Sequence, residues 1–568
     1  MRLYAVRNII IFLFLILFVH LFRMQCLKGR EYFKQSESNR IRLVPEEASR
    51  GIIYDRNDIP LVKNKLAFDV VAVPQELEGK NKSVLFEQLS KFLDVSSQVL
   101  ADTFNYNYSS RTSFYPVLLS ADVPRDVAFL IEQERTKLSG IFIKPRAERQ
   151  YIYEAATAHL LGYVGMMHKS EYQELKEFGY GINDVIGRSG LEKELEDVLH
   201  GQPGGMQLEV NSEGNIIEVL GYKPPVRGQD IHLTIDIGLQ NLIYHAMEEL
   251  KGAVSVMDAQ TGEILALYSG PSFNPNVFMD QKQNKQINEI LRHKDALMLN
   301  RCLQVYPPGS IFKIVTAYAG LKEKKIDPST TFFCPGHYDL GKAVFRCWLE
   351  RGHGSVSVED ALATSCNVFF YNVGTRLGAQ TLSNYAKEFG LGEPTRVGLP
   401  AEQGGVVPNP QWKRTALRQK WYGGDTVNFA IGQGYLLLSP LQALKMVSLV
   451  ANEGKQVQPH LVKGGKFLSP QVLSPEELRI VRNGMRKVVN TSYGTGIRAN
   501  VENVPVFAKT GTAQVSGHTA HAWFIGYAQL ARENVCFVVF LEHGGHGGGQ
   551  AADIAKQIVE YLRDKKKI

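Results

Sequence analysis

Apolar and polar positions divide the chain into an apolar N-terminal run, a mixed middle and a long second half. Ile9 to Phe22 is apolar except for His20, with Arg7 before it and Arg23 after it. Extended to Leu3–Leu27, with the flanking arginines reaching the headgroups, the run is long enough to cross a bilayer. No small-x-small site follows it, and Gln25 precedes Cys26 where a lipoprotein signal carries a small residue, which favours an uncleaved anchor over a cleavable signal. From about Arg40 to Tyr222, strand-like runs such as Phe68 to Val73 alternate with polar helical stretches and no tight group of catalytic residue types occurs. Gly221 to Gly228, with Pro224 and Pro225, is the best linker candidate. Beyond it, His232 to Asp236 and Ala253 to Met257 are short β-rich runs, and Thr261-Gly262-Glu263 before Ile264 to Tyr268 reads as a hairpin. Helical patterns then dominate to about residue 450. Strands return near Val506–Ala508, Ala522–Tyr527 and Val535–Leu541, and Ile554, Ile558, Val559 and Leu562 mark a closing amphipathic helix. This order predicts an α+β domain whose antiparallel sheet is completed by distant segments, with a helical subdomain between them.

Composition adds limits. The 568 residues, 44% hydrophobic and 21% charged, suit a globular protein of two or more domains. A formal charge of +7, from 64 basic and 57 acidic residues, is too dilute over this length to argue for nucleic acid. All four tryptophans and five of the six cysteines fall after residue 300, as expected if the second half holds the larger core.

The candidate chemistry sits in that half. Tyr306-Pro307-Pro308-Gly309 breaks any preceding element, and Ile311, Ile314, Val315, Tyr318 and Leu321 have the spacing of a buried helix face. Ser310 therefore stands at a helix start, and Lys313, three residues on, lies on the same face. A buried neutral amine there can take the hydroxyl proton. Alone, the tetrapeptide is weak, since Ser at a helix start is usually a cap. Two further motifs follow in order: Ser365-Cys366-Asn367, and Lys509-Thr510-Gly511-Thr512 on an expected edge strand. In this order at wide spacing, S-x-x-K, S-x-N and K-T-G are the signature of serine penicillin-recognising enzymes.

The chain thus resembles the class B penicillin-binding proteins, the anchored peptidoglycan transpeptidases. The match extends to Arg50-Gly51-Ile52-Ile53-Tyr54-Asp55-Arg56-Asn57, to Ala158 to Gly165 and to Gly187-Arg188-Ser189-Gly190-Leu191-Glu192, which resemble parts of their non-catalytic pedestal. Gly352-His353-Gly354, Trp421 to Thr426 and Ile431 to Tyr435 are similar to the elongation type. The resemblance implies a penicillin-binding-protein/β-lactamase-like transpeptidase domain at 223–568. It is preceded by a cytoplasmic stub at 1–7, a transmembrane anchor at 8–27 and a pedestal at 28–222, with the catalytic domain outside the cytoplasmic membrane. It implies acylation of Ser310 by D-Ala-D-Ala stem peptides or by β-lactams, with no cofactor for the chemistry. Lys313 is then the base, Ser365 a proton relay, Asn367 a holder of the substrate amide, and Lys509, Thr510 and Thr512 the carboxylate site. Gly511 leaves room for backbone to approach, and the N–H groups of Ser310 and Thr512 are the oxyanion donors. It also implies a SEDS-family glycan polymerase and other elongation-complex proteins as partners.

Three functions compete on these residues: transpeptidase, a hydrolase of the same fold, and an inactive scaffold or β-lactam sensor. No glutamate motif for deacylation lies between S-x-N and K-T-G, and a sensor would carry several spans, so the transpeptidase is favoured. Cys334, Cys347, His353 and Cys366, separated by 13, 6 and 13 residues, form a candidate structural zinc set beside the S-x-N motif, with a Cys334–Cys347 disulfide or unrelated core packing as alternatives. His521 reads as a strand residue before it reads as a base, and Gly544 to Gly549 as a flexible turn lacking the Lys-Ser/Thr of a phosphate loop.

Overall fold

The N-terminal apolar run forms one helix, α1 (Arg2–Phe22), in a computed structural model that describes residues 2–565 apart from 31, 33–40, 109–115, 176–179, 181–183, 211–215, 280–282, 466, 468 and 532. A π-helical turn continues it through Arg23–Leu27. Residues Arg7–Leu27 are long and apolar enough to cross a membrane, and none of the run is buried against the rest of the protein.

The pedestal is built on two larger sheets, beside a two-stranded pair of Val164–Met166 with Val185–Gly187. Ile41–Glu46, Gly204–Val210 and Ile216–Lys223 form an antiparallel three-stranded sheet. The second centres on Pro60–Ala72, whose C-terminal end holds most of the expected Phe68–Val73 strand and which pairs antiparallel with Ile141–Tyr151 over eleven registered positions. Val70, Leu77, Phe86, Leu89, Leu100, Phe104 and Ile131 make a local core under it. The run His232–Asp236 does not form a continuous strand: Ile231–His232 pairs parallel with Ile53–Tyr54 of the pedestal, and Leu233 makes an isolated antiparallel bridge to Val462 of the following domain. Asp236 ends the run by accepting the N–H groups of Gly238 and Leu239, which caps α2 (Ile237–Ala246).

The second half holds a five-stranded antiparallel sheet: β1 (Gly252–Asp258), β2 (Ile264–Gly270), β3 (Val506–Val515), β4 (His518–Gln529) and β5 (Asn534–Leu541), in the order β2-β1-β5-β4-β3. Strands β1, β2 and β5 are buried on both faces, which is why they read as unbroken apolar runs instead of alternating ones. Val254, Val256, Phe524 and Val539 face α2 and the closing helix Gln550–Lys565, whereas Ala253, Met257, Trp523 and Phe540 face the helical subdomain. The edge strand β3 joins the apolar Val506–Ala508 run to the K-T-G motif, with Thr510, Gly511 and Thr512 in register with Phe524, Trp523 and Ala522.

The subdomain contains α3 (Lys313–Lys322), α4 (Val358–Ala363) and α5 (Asn367–Leu377). Within it lie four strands that the hydrophobic pattern does not reveal. Phe332–Cys334 pairs with Gly354–Val356, and His337–Leu340 pairs with Ala343–Arg346. At three or four residues each they are too short to show a period.

Candidate active site

Ser310 lies in a 3-10 turn, Gly309–Phe312, that leads directly into α3 at Lys313. Gly309 has φ 57°, and a Cβ there would stand 2.6 Å from the Thr512 carbonyl oxygen. Glycine thus lets the Ser310 turn sit directly against β3. Ser310 stays half-buried while Lys313 is fully buried. The chain reverses between α4 and α5 at Ser365, which has φ 54°. This reversal brings the S-x-N motif over the lysine.

The Lys313 amine lies 2.7 Å from the Ser365 carbonyl oxygen, 2.6 Å from Asn367 Oδ1 and 3.2 Å from Ser365 Oγ. Burial lowers its pKa to about 8, against the opposing pull of Cys366 and Cys347. A neutral amine fits these partners: two N–H groups serve the two shorter bonds, and the lone pair faces the Ser365 hydroxyl. From the other side, Lys509 Nζ donates to the same Ser365 Oγ at 2.9 Å and to the Thr510 carbonyl at 3.0 Å. Burial first, and then the Lys313 charge, push Lys509 well below its ordinary pKa. One hydroxyl therefore bridges two buried amines, one 52 residues before it in the chain and one 144 residues after it.

Asn367 Nδ2 donates to the Arg346 carbonyl at 3.3 Å, which ties the motif to the His337–Arg346 hairpin. The Thr510 hydroxyl bonds that of Thr495 at 2.7 Å. Thr495 was not legible in the sequence: it comes from the loop after the helix Pro475–Asn490, and only the tertiary fold brings it to β3. The Thr512 carbonyl accepts from Gln433 Nε2 at 3.4 Å, so the Ile431–Tyr435 stretch also braces this strand.

Behind Ser365 lies the cysteine cluster. The ligand atoms of Cys334, Cys347, His353 and Cys366 all lie within 4.8 Å of one another. All six cysteines are free thiols. His353 Nδ1 stands 3.6 Å from Cys334 Sγ and 3.5 Å from Cys347 Sγ. A tetrahedral zinc at about 2.3 Å from sulfur and about 2.0 Å from nitrogen puts those two atoms about 3.5 Å apart, so the spacing fits the ion. The Cys366 thiol, and then His353, hold Cys347 below its ordinary range against burial, while Cys347 and burial keep Cys366 high. The pair favours one thiolate even before any ion is considered.

Comparison with known proteins agrees with this arrangement. The penicillin binding protein transpeptidase domain matches residues 252–560, and the penicillin-binding protein dimerisation domain matches residues 45–233. The peptidoglycan D,D-transpeptidase MrdA of Haemophilus influenzae is 32% identical over 605 aligned positions, covering 100% of this chain and 92% of the relative. Among solved structures, the complex of penicillin-binding protein PBP2 with MreC from Helicobacter pylori aligns with a TM-score of 0.84 at 29% identity, over 93% of this chain and 99% of that one. A chain from a structure on the coordination of polymerization and crosslinking by a peptidoglycan synthase complex aligns with a TM-score of 0.73 at 29% identity, over 98% and 97%. With both domain models matched and a relative aligned along the whole of this chain, the chain belongs to the penicillin-binding protein transpeptidases that carry a dimerisation domain ahead of the catalytic one.

Proposed function

We infer that the chain is a serine-type peptidoglycan D,D-transpeptidase of the elongation type, which cross-links stem peptides through an acyl-serine during rod-shape maintenance and is inhibited by β-lactams. The observation that carries this reading is the buried Lys313 amine, bonded to Ser365 and Asn367 and lowered to about 8, one helical turn after Ser310. Ser310 Oγ bonds the carbonyl carbon of the penultimate D-Ala, and its proton passes to Lys313. The developing oxyanion takes the N–H groups of Ser310 and Thr512. The terminal D-Ala leaves as its amine receives a proton through Ser365. A second stem peptide's amine then attacks the acyl carbon, returns its proton to the lysine network and frees Ser310. Lys509, Thr510 and Thr512 receive the donor carboxylate, and Gly511 lets the donor backbone lie along β3. Incubation with benzylpenicillin should add one penicilloyl group to the Ser310 peptide, and Ser310→Ala should abolish it. Labelling that persists in the variant would assign the nucleophile elsewhere.

The anchor places the catalytic domain on the outer side of the cytoplasmic membrane. The pedestal binds a SEDS-family glycan polymerase and other elongation-complex proteins. Exposed Ile217, Val219 and Tyr222 on its three-stranded sheet, together with the two similar complexes, support that role. The cysteine cluster holds a structural zinc through Cys334, Cys347, Cys366 and His353 Nδ1. The ion's part is mechanical: it fixes Cys366 and so holds Ser365 and Asn367 toward the cleft. Protein purified without chelator should carry one zinc per chain, and His353→Ala should lower both zinc content and melting temperature. Metal-free protein with Cys334 disulfide-bonded to Cys347 would overturn this assignment.

A further inference from the structure

Next to the active site is a second group of titratable side chains that the acyl-transfer reading does not use. His521 lies on β4 directly opposite Ala513, one position beyond Thr512. It is 7% exposed, and its ring packs edge-on against Tyr306, four residues before Ser310, and against Phe540. Its Nδ1 accepts the backbone N–H of His543 at 3.1 Å. A backbone N–H only donates, so this bond requires Nδ1 to be unprotonated and the neutral ring to carry its proton on Nε2.

His543 begins the glycine-rich segment that leads from β5 to the closing helix. The segment is tied to the β4 hairpin by two further bonds, His543 Nδ1 to the Thr519 carbonyl at 2.8 Å and Gly545 N–H to the Ala520 carbonyl at 2.9 Å. It is a seated strap and not a free turn. A Cβ on Gly547 would stand 2.1 Å from the Trp523 carbonyl oxygen and 2.6 Å from that of Gly511, so bare backbone rests on the β3–β4 ladder. The opposite side of Gly511 faces the nucleophile's turn, where a Cβ would meet Ile311 at 2.9 Å and the Pro308 carbonyl at 3.0 Å. The K-T-G strand is therefore held between the Ser310 turn and the strap.

We propose that His521 is a positioning residue for acyl transfer, which in its neutral Nε2–H form clips the 543–548 strap against Gly511 and so sets Thr512 and Lys509 opposite Ser310. This rests on the acyl-Ser310 reading. Protonation puts a second N–H at Nδ1, facing that of His543, and the clip is lost. The groups around the ring are Tyr306 from the nucleophile's segment, Glu542 and His543 from the end of β5, and His518 from β4. Glu542 is itself engaged, by the Tyr306 hydroxyl at 2.9 Å and by Arg301 at 3.1 Å. Burial, with His543 and His518, keeps His521 below its ordinary pKa, against the pull of Glu542, so the clip holds at neutral pH and opens in acid.

The test is the second-order rate of benzylpenicillin acylation by the full chain in detergent, measured from pH 5 to 8.5 for wild type, His521→Asn and His521→Ala. Asn places an acceptor near Nδ1 that does not titrate. His521→Asn should stay within about threefold of wild type at pH 8 and lose one proton from the acid limb, while His521→Ala should be about tenfold or more slower throughout, as small misplacements of reacting groups are. Equal impairment of both variants, or an unchanged acid limb in His521→Asn, would overturn the proposal. Hydrogen exchange on the wild type needs no variant: as pH falls from 8.5 to 5, amides of 542–549 should lose protection before those of 536–541, at a pH below the ordinary histidine value. Constant protection across that range would equally overturn it. Absence of any adduct on wild-type Ser310 would instead sink the acyl-serine reading and leave the exchange result standing.

Discussion

Two buried cationic networks in this protein have opposite chemistry. In the pedestal, Arg50 and Arg149 are almost completely buried, but both meet carboxylates: Arg50 bonds Glu192 at 2.8 Å and Glu196 at 2.9 Å, and Arg149 bonds Glu192 at 2.6 Å. Burial works against every charge in the group. The Glu192 and Glu196 charges nevertheless raise Arg50, and Arg149 and Arg50 hold Glu192 below the usual carboxylate range. In the catalytic domain, Lys313 and Lys509 are equally buried, but their partners are a hydroxyl, a side-chain amide and backbone carbonyls. Burial prevails there and both amines are lowered. A cation buried with counter-charges is fixed in its charged form and joins segments. One buried among neutral acceptors is ready to exchange a proton.

The comparison fails if the two networks respond alike to losing a member. Lys313→Met keeps the bulk and removes the base, so acylation should fall by about 10²- to 10⁴-fold. The melting temperature should hold or rise, since a desolvated amine is removed. Acylation at the wild-type rate, read by penicillin labelling over time, would assign the base elsewhere. Glu192→Gln should do the reverse. It leaves two buried guanidiniums short of a counter-charge and should destabilise the pedestal by about 3–5 kcal/mol. The acylation rate of molecules that remain folded should be unchanged. Denaturant unfolding followed alongside labelling separates the two effects, and a Glu192→Gln protein of wild-type stability would remove the pedestal half of the comparison.

The sequence announced these networks unequally. Residue type, order and local spacing singled out Lys313, Ser365, Asn367 and Lys509 in the sequence, and the fold brings these four into one hydrogen-bonded group, with Ser310 one turn before Lys313. Arg50 and Glu192 lie in two stretches that resemble pedestal motifs, yet nothing in either stretch says that they meet; 142 residues separate them. The sheet was legible where its strands are buried on both faces, whereas the edge position of Lys509 to Thr512 was legible only from the K-T-G motif, because that stretch carries none of the apolar signal of a strand. His521 and the strap were read as ordinary because their roles depend on a tautomer and on glycine contacts, neither of which leaves a periodic trace.

The mildest test of the comparison is pH. An amine lowered from 10.5 to about 8 by burial is neutral above that value and charged below it. Between about pH 6.5 and 8 the acylation rate should therefore rise by about tenfold per unit and then level off, because the neutral fraction does so. Stability follows the same group with its sign fixed by linkage. Above 10.5 the amine is neutral in both folded and unfolded chains and burial is free of charge cost. As pH falls through the window from 10.5 to 8 the unfolded chain binds a proton that the folded one does not, and the penalty grows to about 3 kcal/mol, complete below 8. The pedestal arginines stay charged throughout and contribute nothing to either curve. Lys313→Met should accordingly flatten the alkaline rise in stability relative to wild type, whereas Glu192→Gln should lower the curve evenly from pH 7 to 10.5, where the wild-type carboxylate is ionised in both folded and unfolded chains. If the Lys313→Met and wild-type stability curves ran parallel from pH 7 to 10.5, the amine would be charged in the folded protein, and the contrast between the two networks would not hold.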